Sequence, residues 1–300
     1  MPFSINVNYN GREANGYISK ALLENRTLNN EWITTIPNIK FKAHLRKFDV
    51  SDVNKQRSDQ FSDKGSVDRT DKVLTLEDLE VNSELPVYDF EQDWQARQMR
   101  SGALNTDLTA EFLDFVIQRY TDEVSYEIER IIWQGDTSNS GFLGVMDGFD
   151  KKLSNSGSVI SKTITNATTK SNVISQLDAV YKDIPEEVYK KNDAAIFVPY
   201  ATGKFYRQAV ASQANEAYYG ALGGLTYIDV PIYEVPLPTT TYVAGQSRNM
   251  FFGTDLLSDF NELRLIDLRE YTGDDLLRMV MKFKAGVEIA NEDEVVYHSN

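Results

Sequence analysis

Apolar positions along this chain change their period several times, and each change marks an element. Leu108, Phe112, Phe115, Val116, Tyr120, Val124, Ile128, Ile131 and Ile132 recur mostly three or four apart, the spacing of one helical face. This predicts a helix over 107–134, roughly seven turns long. Glu111, Asp114, Arg119, Asp122, Glu123, Glu127 and Arg130 occupy its other, solvated or subunit-facing side. Asn105 or Asp107 is placed to cap the start, where acidic side chains suit the helix dipole. Trp133-Gln134-Gly135-Asp136 ends it, with Gly135 expected in the left-handed conformation. Gly141-Phe142-Leu143-Gly144 and Asp147-Gly148-Phe149 read as tight turns that return aromatic rings to the helix.

Upstream the pattern is different. Residues 1–36 are polar and extended, with a short helix predicted around Ile18–Leu23; Trp32 and the paired leucines mark an arm that docks on something. From Ile39 the period becomes two: Ile39, Phe41, Ala43 and Leu45 alternate with Lys40, Lys42, His44 and Arg46, giving one apolar and one basic strand face. A return strand fits Lys72–Val81, whose Glu77, Asp78 and Glu80 are expected to pair across the ladder with the basic face. Ser51–Asp71 lies between as a hydrophilic tip of about twenty residues, long for a compact domain. A lone hairpin is marginal in water, so this one needs a surface to lie on.

Downstream, Leu153–Lys170 reads as strand and turn. Ser171 is expected to cap a helix carrying Val173, Ile174, Leu177, Val180, Tyr181 and Ile184, ended by Pro185. Ala194–Pro199 is a short apolar run typical of a buried central strand. A helix over Thr202–Glu216 follows, with Phe205, Val210 and Ala217 on one side, then Gly220, Gly223, Gly224 and an alternating run from Tyr227 to Tyr233. Asn249–Asp255, Glu262–Leu268 and Leu277–Ile289 read as strands.

Composition removes whole classes of function. The 300 residues contain no cysteine and two histidines, His44 and His298, so no disulfide framework, thiolate site or zinc-ligand spacing exists. No apolar run approaches a membrane span of about 20 residues, the start lacks signal-peptide character, and there is no phosphate loop or nucleophile elbow. No catalytic residue, cofactor or metal is therefore expected. The net charge is −14 and unevenly spread: residues 1–47 carry seven basic against three acidic residues, leaving 24 basic and 42 acidic beyond. So acidic a body does not grip phosphates, whereas an acidic body with a basic arm suits copies of itself.

The order of polar arm, charged hairpin, linker and long helix resembles the major capsid proteins of tailed bacteriophages, the Hong Kong 97-like (Johnson) fold. The stretches that carry the likeness are the Trp133-to-Phe149 loop, Ile196–Pro199, Phe252-Gly253-Thr254-Asp255 and Lys284-Ala285-Gly286-Val287-Glu288-Ile289. The resemblance spans nearly the whole chain and implies an α+β fold with an N-terminal arm (1–36) and an extended hairpin or E-loop (37–92). It further implies a peripheral domain containing the spine helix (93–184), an axial domain (185–262) and a return to the peripheral domain (263–300). About 36 residues precede the hairpin, too few for a fused scaffolding domain, so either scaffolding is a separate protein or the sequence is the mature form, and Met1 favours the former.

The function implied is structural: hexamers and pentamers closing an icosahedral shell around packaged double-stranded DNA, in a virion assembled in the host cytoplasm. Partners are other copies, a portal protein, the scaffolding protein and a decoration protein, with DNA held without sequence reading. Lys40, Lys42, Arg46, Lys64, Glu77, Glu80 and Trp32 are the subunit-interface candidates. The alternative is an encapsulin-type compartment around enzyme cargo, which usually has a shorter hairpin. Carboxylate pairs such as Glu127 with Glu129 or Asp147 are what 45 acidic residues produce by chance. Some capsids of this kind join a hairpin lysine to an asparagine. Lys55, Lys64 and Lys72, with Asn291 and Glu292, supply the residue types, but Asp52, Asp63, Asp68 and Asp71 favour the unreactive ammonium.

Overall fold

The computed structural model describes residues 7–10, 12–23, 25–51, 53–54, 56–57, 64–86, 110–213, 225–255, 262–268 and 271–300. The arm contributes strand β1 (Val7–Asn10), helix α1 (Arg12–Leu23), the single turn α2 (Arg26–Asn29) and β2 (Thr34–Ile36). It is more structured than its polarity suggests, because Ile18, Ala21 and Leu22 are fully buried in the main core. Asn25 caps α2, its Oδ1 accepting the Leu28 N–H at 2.9 Å.

Strands β3 (Lys42–Ser51) and β4 (Ser66–Thr75) form a two-stranded antiparallel hairpin paired from Lys42↔Thr75 to Ser51↔Ser66. The ladder therefore takes in much of the expected tip. The expected return strand Lys72–Val81 is two elements: Lys72–Thr75 closes β4, and β5 (Glu77–Pro86) leaves for the main sheet. Phe41 precedes β3 and is 71% exposed, so it is not part of the apolar face.

Helix α3 (Ala110–Gln134) matches the long predicted helix over its described length; the proposed caps Asn105 and Asp107 and Leu108 lie outside the described residues. Its buried stripe runs Leu113, Val116, Ile117, Val124, Ile128, Ile131, Ile132. Phe115 is 39% exposed, one position off a stripe that Leu113 and Ile117 complete. Gly135 has no positive φ; it is required by contact instead. A Cβ there would meet the Met146 carbonyl oxygen at 2.3 Å, and one on Gly148 would meet the Gly135 nitrogen at 2.7 Å. The two glycines stack at the helix end, and the Gly148 N–H donates to Gly135 O at 2.8 Å. That closure drives Phe149 against Trp133, both fully buried.

Phe149–Asn155 is helix α4, not strand or turn, and precedes β6 (Ile160–Thr163). Helix α5 (Val173–Asp183) is preceded by Asn172, the residue in the cap position expected of Ser171; Pro185 starts α6 (Glu186–Lys190). Strand β7 (Ala194–Pro199) is buried at all six positions. Ala195 and Phe197 face the main core, while Ala194, Ile196 and Val198 face a second core with Val173, Leu177 and Val180 of α5. Helix α7 (Tyr200–Gln213) buries Thr202 and Ala209, with Phe205 and Val210 half-buried; Ala217 and the three glycines lie outside the described residues.

The run expected to alternate through Tyr233 is broken into β8 (Thr226–Tyr227) and β9 (Val230–Val235). A turn at Ile228 and Asp229 separates them, where Ile228 has φ 58°. Strands β10 (Tyr242–Gln246), β11 (Met250–Thr254), β12 (Glu262–Asp267), β13 (Leu276–Ile289) and β14 (Val296–Ser299) complete the chain.

Two six-stranded sheets result. One runs β6-β14-β10-β7-β9-β8. The other runs β1-β12-β13-β11-β2, with β5 also on β13. Strand β13 is its rail: it pairs antiparallel with β5, β12 and β11 in turn, and Leu277, Met279, Met281, Phe283 and Ala285 point inward. The fold is mixed α+β, as expected.

Candidate assembly interface

The hairpin sits on a glycine saddle. Gly253 of β11 and Gly286 of β13 are cross-strand partners. A Cβ on Gly253 would come within 2.7 Å of Leu74 Cδ2 and 2.8 Å of Ile39 Cδ1; one on Gly286 would lie 2.2 Å from the Thr75 carbonyl oxygen. The missing side chains let Ile39, Leu45 and Leu74 settle flush on the sheet as a separate small core, joined by Leu76 and Phe251. The Ile39 N–H donates to Thr254 O at 3.1 Å, fixing the entry strand.

Alternation sends the hairpin's charges to two faces. On the inner face Lys72 Nζ donates to Glu292 Oε1 at 2.5 Å, and Lys47 lies 3.7 Å from Glu294, which also meets Lys191 at 3.4 Å. Burial works to raise the Glu292 carboxyl. Hydrogen bonds from Lys72 and Ser156, with the charges of Lys72 and Lys152, outweigh it and hold the group below its ordinary range. The outer face carries Lys42, His44, Arg46 and Arg69, with Asp71 between the two arginines at 3.7 and 3.9 Å. Exposed Val73 and the cross-strand neighbours Val50 and Val67 add apolar surface to it.

The sequence-derived interface residues fall in three places. Lys40, Lys42 and Arg46 are exposed beside or on the hairpin, and of these Arg46 meets an acid, Asp71, across the ladder. Lys64 closes the tip, its Nζ donating to Asn54 O at 3.0 Å. Glu77 and Glu80 do not face the basic strand. They sit on β5, where Glu80 lies 3.7 Å from Lys282, beside Asp78–Lys284 at 3.1 Å. Pairing β5 with β13 rather than β3 made that exchange. Trp32 stacks within its own chain on Tyr233, with ring centroids 4.6 Å apart, under the Arg26 guanidinium.

Sequence reasoning missed the junction beside Trp32, where the arm, α3 and the second sheet meet. Trp133 Nε1 donates to Thr27 Oγ1 at 3.0 Å, and Thr27 Oγ1 donates to Glu129 Oε1 at 3.2 Å. The Tyr200 hydroxyl donates to the same oxygen at 3.3 Å. Burial pushes the Glu129 carboxyl up, against these bonds; burial and the Glu129 charge push Tyr200 up to about 12. Two turns along α7, Arg207 grips Glu234 through both nitrogens at 2.6 and 2.8 Å, and Arg26 approaches Glu234 at 3.7 Å. The signal available in the sequence was Glu129 lying one position from the apolar stripe.

No protein-family profile matches the chain, and no curated protein matches it. Solved structures do. A chain of the satellite phage P4 procapsid (with size determination protein) superposes with TM-score 0.58 at 12% identity, covering 95% of this chain and 96% of that one. The fold is that of a tailed-phage capsid protein. Mycobacterium phage Ogopogo gives TM-score 0.57 at 10% identity over 97% and 93% of the two chains. The capsid of an empty GTA particle gives 0.57 at 12% over 90% and 88%. At such identities the fold is shared without a shared sequence, because cores that keep their volume and hydrophobic pattern tolerate extensive substitution.

Proposed function

We propose that this protein is the shell-forming subunit of a tailed-phage virion. The observation that carries the reading is end-to-end coverage of a capsid fold: the likeness covers 95% of this chain and 96% of the other. In this reading residues 1–36 are the arm, 37–92 the E-loop, 93–184 with 263–300 the peripheral domain, and 185–262 the axial domain. The chain acts as hexamers and pentamers in an icosahedral shell around double-stranded DNA, with portal, scaffolding and decoration proteins as partners. Its part is mechanical and lies in interfaces; no chemistry is asked of it.

The physical support is that the hairpin is half-satisfied. Its inner face is committed to its own chain through the glycine saddle and Lys72–Glu292, while its outer face presents basic and apolar groups to solvent. The remainder of the chain is strongly acidic, and α3 exposes Asp114, Asp122 and Glu123. A basic strip over an acidic neighbour is complementary, and a shell repeats each small contact in every copy. An acidic wall also suits DNA that must slide past it.

Electron microscopy of the purified chain is the test. Closed shells, alone or with its scaffolding protein, are the expected outcome. A protein that stays monomeric under both conditions overturns the reading.

A further inference from the structure

A cavity of about 210 Å³ opens where the last turns of α3 meet the junction of β7 with α7 and the loop after β9. Glu129 stands in its wall with Tyr126, Arg130, Tyr200 and Pro236. Glu129 is 8% exposed, and its carboxylate receives neutral donors: the Thr27 and Tyr200 hydroxyls and the Arg26 backbone N–H. Among the described residues no lysine or arginine lies within ion-pair distance of it; the Arg26 guanidinium goes to Glu234. A carboxylate this buried either finds a cation or surrenders its charge; burial drives the Glu129 carboxyl upward, and its hydrogen bonds and the more distant Arg26 charge oppose this only in part. Tyr126, 58% exposed, and Tyr200, 36% exposed, present rings at the mouth, surfaces that favour an alkylammonium. The cavity is smaller than the roughly 300–1,000 Å³ of small-molecule sites. It suits one long side chain.

The complementary feature is on the same chain. Lys42 lies at the base of the hairpin's outer face, exposed and without an acidic partner among the described residues, whereas Arg46 and Arg69 share Asp71. We propose that the Glu129 cavity receives the Lys42 side chain of a second copy, the ammonium meeting the carboxylate and the methylene stem lying between Tyr126 and Tyr200. The pairing deepens the shell reading and rests on it: it names one contact by which the hairpin of each copy engages the helix junction of the next. Such a contact joins unlike surfaces and therefore propagates head to tail around a ring.

The experiment uses the full chain, prepared unlabelled and ¹⁵N-labelled, mixed before assembly and treated with a carbodiimide. Mass spectrometry of the digest is expected to find a Glu129–Lys42 amide joining one labelled and one unlabelled peptide. Glu129→Gln and Lys42→Met are each expected to raise the concentration for half-assembly about tenfold, and the double variant no further, because both remove one contact. Lys42 is exposed, so its variant reports assembly free of any folding defect. Particles in which Glu129 links within its own copy or to no lysine, or variants whose effects multiply, overturn the pairing and leave the shell reading standing. A wild-type chain that forms no particles overturns both.

Discussion

At the scale of single residues, what decides the structure is close approach. Gly203 is the clearest case: a Cβ there would lie 1.9 Å from Glu234 Oε1. Gly→Ala inside a helix ordinarily stabilises by about 1 kcal/mol. Here it must displace a carboxylate held by Arg207 and Arg26, and losing a partly buried charged pair costs about 2–3 kcal/mol. Gly203→Ala is therefore expected to destabilise the chain by about 1–2 kcal/mol in urea titration; unchanged or increased stability would show that Glu234 is not anchored as described. His298 gives a pH prediction. It is 2% exposed and lies 2.9 Å from Asp183. Burial pushes its imidazole below the ordinary histidine value, Asp183 pulls it upward with less effect, and Lys162 adds to the lowering. The folded state thus binds the proton less readily than the unfolded chain. Stability is full above the unfolded pKa of about 6.5 and falls as pH drops through the lower folded value. Thermal unfolding of the wild type and His298→Gln across pH 7.5 to 5 checks this: the wild type should lose more on acidification, and parallel curves would refute it.

At the scale of elements, the hairpin and the long helix carry the sharpest expectations. Gly286→Val cannot be accommodated beneath Thr75, so it should lift β4 off the sheet and break the Ile39–Leu45–Leu74 core. The expected result is a destabilised subunit whose hairpin is cut early by protease, because lifted strands expose backbone; wild-type cleavage rates would mean the saddle is not the seat. Deleting 52–65, which lies beyond the paired ladder, should spare folding and impair assembly. Equal particle yield from that deletion would remove the tip from the interface. On α3, Ile128 is 2% exposed within the stripe. Ile128→Asp buries an unpaired charge at a cost of several kcal/mol, so insoluble or unfolded protein is expected, and soluble assembling protein would contradict the helix's placement.

At the scale of the molecule, the contacts between copies are expected to be non-covalent. A hairpin lysine attacks an amide only as the neutral amine. The Lys72 Nζ is occupied by the Glu292 carboxylate of its own chain, and Lys64 is engaged at the tip; Lys55 lies outside the described residues. Particles boiled in detergent should therefore run at the 34.1 kDa of one chain, and ladders above that mass would show that another lysine becomes neutral on assembly.

Much of this architecture was legible from the residues in order. Period 3.6 located α3, an all-apolar run located β7, and period 2 located β13, because each pattern is set by one element facing one core. The chain's charge distribution separated basic residues 1–47 from an acidic remainder without any coordinates. What the order of residues could not decide was which strand pairs with which. Lys72–Val81 alternates as one strand, yet it divides at Leu76, because Gly253 and Gly286, about 180–210 positions away in sequence, leave a flat seat for the hairpin. That division moved Glu77 and Glu80 from the basic hairpin to β13. Gly135 was read as a conformational requirement, and packing made it a steric one. The Glu129 junction was invisible for the same reason: its partners, Thr27, Tyr200 and Arg26, come from the arm and the start of α7, and only tertiary packing excludes the water that would otherwise have satisfied that carboxylate.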